Sequence, residues 1–116
     1  MSKLSFWKTI SLLCVFCAVG VIGSTAQTLT TLVSFNGDDG EDPLAPLVQG
    51  LDGRFYGTTF YGGAHTSCDT GFGCGTVFKT TTEGRLTTLY SFCAQAGCTD
   101  GELPYAGLVQ ATDGNF

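Results

Sequence analysis

The sequence predicts an all-β protein: four-stranded antiparallel blades of the β-propeller type, incomplete at about one and a half repeats. Three observations predict it. Seventeen Gly and 12% aromatic residues mark a turn-rich chain. Apolar residues fall on both faces of the strand-like segments, as in a sheet covered on both sides. Two stretches recur in the same order at a spacing of about 60 residues, the period of a stacked unit of short strands.

The recurrence is close. Residues 29–35 (LTTLVSF) and 86–92 (LTTLYSF) match at six of seven positions, at an offset of 57. Residues 43–55 (PLAPLVQGLDGRF) and 104–116 (PYAGLVQATDGNF) match at eight of thirteen, at an offset of 61. The four extra residues lie in the stretch that carries Cys93 and Cys98.

The N-terminus reads as a secretory signal peptide over residues 1–26. Lys3 and Lys8 supply a positive start, residues 10–22 an apolar run of 13, and Ser24, Thr25 and Ala26 the small residues before a cleavage site. The run is short of the roughly 20 residues that span a bilayer, so no membrane span is expected after cleavage. Residues 27–42 then end a preceding repeat, residues 43–92 make one complete blade, residues 93–103 a Cys-containing linker, and residues 104–116 the start of the next blade. The second copy stops at the equivalent of Phe55, so a fragment of a longer array is expected.

Within the complete blade, residues 47–50 predict a short first strand. Asp52-Gly53 is a turn signal. Residues 54–60 (RFYGTTF) predict the second strand, and residues 61–74 a Gly-rich loop. Residues 75–81 (GTVFKTT), rich in β-branched and aromatic side chains, predict the third. After the Glu83-Gly84 turn, residues 85–92 predict the fourth, with Leu86 and Tyr90 on one face and Thr87 and Leu89 on the other. No segment after residue 26 has a 3.6-residue period, so no helix is expected there.

These segments together (LTTLYSF, PYAGLVQATDGNF, YGTTFYGGA, GTVFKT) resemble the GloVer family of bacterial exported tandem-repeat proteins. The DGRFYGT stretch is also similar to propeller repeats of two-component regulators. The resemblance covers residues 27–116. It implies an exported chain of many such repeats, without known catalytic residues.

Composition excludes some functions. Residues 27–116 hold three basic side chains (Arg54, Lys79, Arg85) against ten acidic ones, a net charge of -7. Nucleic-acid binding needs clustered Lys and Arg, and the sequence has no such run. Four cysteines remain after the signal: Cys68, Cys74, Cys93 and Cys98. Export favours disulfides, and the simplest pairing is local, Cys68–Cys74 and Cys93–Cys98, although four cysteines allow three connectivities. A four-Cys zinc site is the rival, poorly served by these spacings.

The acidic stretch offers Asp38, Asp39 and Asp42 as a weak calcium candidate, against the plainer reading of a solvated loop. His65 is the only histidine, and no nucleophile elbow is present. No cofactor and no catalytic residue are expected. Among the aromatics, strand positions suit packing, while Tyr61 and Phe72 in the loop suit contact with a ligand. The expectation is an exported, non-enzymatic binding scaffold at the cell surface or outside the cell. Its partners would be an extracellular ligand, glycan or protein, and further repeats of the array. The alternatives are a fragment of a propeller-type carbohydrate-active enzyme and a purely structural surface repeat.

Overall fold

The computed structural model describes residues 26–68 and 71–116. Apart from Ala26, the expected signal segment lies outside them. Residues 31–116 form one compact unit. At its centre is one open, four-stranded antiparallel sheet in the order β1-β2-β3-β4. The strands are β1 (Val48–Gln49), β2 (Phe55–Thr59), β3 (Thr76–Thr80) and β4 (Leu86–Ser91). All four fall inside the predicted stretch 43–92. No α-helix occurs among the described residues; one 3-10 turn, Ala96–Cys98, interrupts the cysteine linker.

The turns form where the sequence places them. Gly53 and Gly84 follow Asp52 and Glu83, and both have positive φ, 79° and 82°, which an L side chain adopts only with strain. Asp52 accepts the Arg54 N–H (3.1 Å), and the Thr81 hydroxyl accepts the Glu83 and Arg85 N–H groups (3.3 Å each).

The register departs from strict alternation at one place. Val77 opposes Tyr90, but Phe78 opposes Thr88, so Leu89 is an extra residue on β4. This bulge re-aims the strand. Directly opposed residues share a face, so Tyr90 lies with Val77, Lys79 and Thr87 rather than with Leu86. The sequence reading, which assumed a period of two throughout β4, is corrected there.

Both faces of the sheet are covered, unevenly. One face carries Thr59, Thr76, Phe78 and Thr80, all buried. The chain around residues 32–40 crosses it. Phe35 meets Phe78 edge-to-face at 5.0 Å, and the Asp39 carbonyl accepts the Thr76 and Thr88 hydroxyls at 3.3 Å each. Thr59 and Thr76 share a hydrogen bond of 2.8 Å in the interior. A buried hydroxyl is costly unless paired, and no buried side-chain nitrogen or oxygen among the described residues lacks a partner. The core is therefore threonine-rich, with Phe78 and three cysteines as its buried apolar members.

The opposite face is covered only over β1 and β2, by residues 104–116. The Thr58 hydroxyl donates to the Ala106 carbonyl (3.0 Å), the Leu51 N–H to Gln110 Oε1 (3.0 Å), and the Phe116 ring lies 4.3 Å from that of Tyr56. Lys79 and Thr87 on the same face lie beyond this cover.

The two matching stretches adopt the same turn. Gly50 donates to the Arg54 carbonyl at 2.8 Å and Ala111 to Asn115 at 2.7 Å; Gly53 donates to Gly50 at 2.9 Å and Gly114 to Ala111 at 3.0 Å. Gln49 Nε2 reaches the Gly53 carbonyl at 3.3 Å, and Gln110 Nε2 the Gly114 carbonyl at 2.9 Å. Residues 104–116 nonetheless contain no strand. Among the described residues, no stretch pairs with Val109 and Gln110 as β2 pairs with β1, and a strand is made by its ladder.

Candidate functional site

The sequence-selected loop residues come together. Tyr61 leaves the end of β2 and is anchored by a bridge to Glu41. Gly62 donates to the Phe72 carbonyl (2.8 Å), which folds the loop back on itself. Tyr61 and Phe72 then stand 5.8 Å apart between ring centroids. Phe60 packs on Tyr61 at 4.6 Å and on Tyr105 at 5.8 Å. The result is a continuous four-ring patch, Phe72–Tyr61–Phe60–Tyr105. Its end members are open to solvent: Phe72 is 66% exposed and Tyr105 75%. Tyr105 comes from residues 104–116, the second of the two matching stretches. The sequence reading favoured packing for strand aromatics such as Phe60; here Phe60 and Tyr105 extend the loop aromatics.

The cysteines form the local pairs, Cys68–Cys74 and Cys93–Cys98. The two loops meet: Cys68, Cys74 and Cys93 make one buried cluster, with Phe92 and Cys98 packed against it. The cluster holds the base of the aromatic loop. Paired cysteines fit an oxidising compartment, and no helix among the described residues is long and apolar enough to cross a membrane.

Asp38, Asp39 and Asp42 do not converge on a point. The one group of three potential ligands within 4.8 Å, among the described residues, is Cys93, Cys98 and Glu102, whose sulfurs are already joined to each other. Asp39 instead serves its loop: its carboxylate accepts the Asn36 N–H (2.9 Å), and its own N–H donates to Asn36 Oδ1 (3.2 Å). The matching Asp100 has a similar task. It accepts the Ala94 and Gln95 N–H groups (3.0 and 3.1 Å) and the Tyr90 hydroxyl. The Tyr90 hydrogen bond, then the backbone N–H groups, hold the Asp100 carboxyl below its ordinary 3.8, and the same contact raises the Tyr90 phenol. These shifts belong to loop caps.

Sequence reasoning missed a second feature. Arg54, Lys79 and Arg85, the only basic residues after residue 26, line one open depression of about 490 Å³ with Thr81, Glu83 and Thr87. They lie 25 and 6 residues apart, so no run appears in the sequence. Antiparallel register gathers them: Lys79 opposes Tyr56 and Thr87, while Arg54 and Arg85 stand two residues from those partners on the same face. The period of two along β4 puts Thr87 and Tyr90 on opposite faces, whereas the bulge brings both to the Lys79 face, so the pairing of Lys79 with Thr87 needed the register. Arg54 pairs with Asp52 at 3.0 Å. Among the described residues, Lys79 and Arg85 have no ion pair. Glu83 is held below its ordinary 4.5 by the Thr81 and Thr82 hydroxyls first, with Arg85 adding a smaller attraction.

Comparison of the chain with protein-family models, with curated proteins and with solved structures finds no match in any of the three.

Proposed function

We propose that the chain is a non-enzymatic binding scaffold, exported to the cell surface or beyond, built of β-propeller-type repeats of the GloVer kind. The observation that carries this reading is the aromatic patch. Its rings come from the loop of one copy and from Tyr105 of the next, so a ligand face arises at the junction of repeats. Loops on a rigid scaffold are where recognition residues concentrate. Exposed aromatic rings offer large contact area at low entropic cost, suited to a sugar ring or a peptide side chain. The shared turn geometry of residues 43–55 and 104–116, and the packing of one on the other, support a stacked array. The local disulfides support export.

A glycan array with the purified chain tests this. Binding to a subset of glycans is expected, reduced about tenfold or more by Tyr61→Ala with Phe72→Ala, since loss of a central aromatic contact commonly costs about 2 kcal/mol. Turnover of a bound polysaccharide would instead favour an enzyme. Binding that ignores the two substitutions would move the ligand face elsewhere.

A further inference from the structure

The three cations outside the N-terminal segment share one depression although the surrounding chain is strongly acidic. We propose that this depression binds an anionic glycan, taking a carboxylate or sulfate group of the sugar between Lys79 and Arg85. It lies at the Arg54 end of β2, whereas the aromatic patch begins at Phe60 beyond the other end. The proposal therefore goes beyond the scaffold reading and stands without it.

Geometry carries the charge preference. Lys79 projects from the middle of the sheet, half-buried, with Arg85 at the mouth of β4 and Arg54 at that of β2. A guanidinium offers a planar fork of donors to a carboxylate or sulfate, and an ammonium adds a point charge. Arg54 is occupied in part by Asp52, which leaves Lys79 and Arg85 as the pair that meets the anion. Glu83 and Asp52 reduce the local excess to one positive charge. That suits a single carboxylate or sulfate and opposes a polyphosphate chain.

The lining carries the sugar preference. Among the described residues, no apolar side chain lines the depression. A peptide partner is normally anchored by a buried aromatic or aliphatic side chain, and nothing here receives one. Thr87 presents a hydroxyl that makes no hydrogen bond among the described residues, whereas the Thr81 hydroxyl at the rim is engaged by the Glu83 and Arg85 N–H groups. Hydroxyls that both donate and accept match the hydroxyls of a sugar ring. The volume of about 490 Å³ falls within the range of small-molecule sites.

Isothermal titration of the full chain tests the proposal with four probes: trigalacturonate, a trisulfated trisaccharide, neutral maltotriose and a tetraglutamate peptide. At least one anionic sugar should bind, maltotriose should not, and raised salt should weaken binding. Lys79→Gln with Arg85→Gln should weaken it at least tenfold, about 1.4 kcal/mol, because the anion loses two charged donors. Arg85→Gln alone, at an exposed position, should weaken it about threefold or more with an unchanged thermal melt. This separates a lost site from a lost fold. Which anionic sugar binds distinguishes carboxylate from sulfate. Binding of neither anionic sugar, or binding indifferent to both variants, overturns the proposal. Tighter binding of tetraglutamate overturns the assignment to a sugar. Tyr61→Ala with Phe72→Ala should leave this binding intact, so failure at the aromatic patch and failure here are read apart.

Discussion

Replacing all four paired cysteines by serine should destabilise the protein by about 4 kcal/mol, about 2 for each short loop, on chain-entropy grounds. The bridges are spaced by six and five residues. Stabilities of about 0.05–0.15 kcal/mol per residue give a unit of this size roughly 4–13 kcal/mol in all, so the loss is a large share. Two structural facts make it larger still. Cys74 is fully buried, and Cys68, Cys74 and Cys93 are, besides Phe78, all the buried apolar residues among those described. Serine would leave hydroxyls in that cluster with no assured partner. Denaturant unfolding of wild type, each double variant and the quadruple variant checks this. Removal of Cys68–Cys74 should cost more than removal of Cys93–Cys98, because only the first pair is wholly interior. Equal and small losses would show that the sheet stands without its staples.

Gly62→Ala should cost about 3 kcal/mol, against about 1 kcal/mol for Gly53→Ala. Both glycines have φ near +80° (78° and 79°), so the backbone strain is alike. Their surroundings differ. A Cβ on Gly62 would lie 2.5 Å from the Gly37 carbonyl oxygen and 2.7 Å from the Glu41 nitrogen, all backbone; around Gly53 there is nothing within 4 Å. Gly62 sits where the loop of residues 36–41, the aromatic loop and the entry to β3 meet, donating to Phe72 and accepting from Gly75. Extra volume there must move the main chain. Thermal melts of the two variants give the comparison directly. A similar shift for both would mean that strain alone acts and that the three segments are not pressed together at Gly62.

Much of the sheet was legible in the sequence because its signals are local. Asp52-Gly53 and Glu83-Gly84 fix the hairpins, and the observed strands fall within the predicted stretches, shortened at their ends. The cysteine pairing was legible as the simplest local option. The bulge at Leu89 was not, because no glycine or proline marks it, and strand period alone cannot reveal an extra residue. The core was misjudged for a related reason. Leu89 and Tyr90 are substantially exposed, while Thr59, Thr76 and Thr80 are buried. Threonine reads as neutral in an alternation pattern, and the acceptors that let it go inside are set by the fold: the Tyr61 carbonyl for Thr59, the Thr81 carbonyl for Thr80 and the Asp39 carbonyl of the crossing segment for Thr76. The aromatic site was half legible: Tyr61 and Phe72 share a loop, but Phe60 and Tyr105 join them through the packing of residues 104–116. The basic depression was invisible, since it depends on which residues face each other across three strands.

The packing of residues 104–116 against β1, β2 and the turn between them underlies the shared aromatic patch, the partial cover of the sheet and the proposal that the chain is built of stacked repeats. Nuclear Overhauser contacts between the ring protons of Tyr56 and Phe116 test it most directly. The rings are 4.3 Å apart between centroids, and the Leu51 amide is bonded to Gln110 beside them. Strong cross-peaks between the two rings are expected, with a protected Leu51 amide that loses its protection in Gln110→Ala. Absent cross-peaks, with random-coil shifts for residues 104–116, would contradict the account.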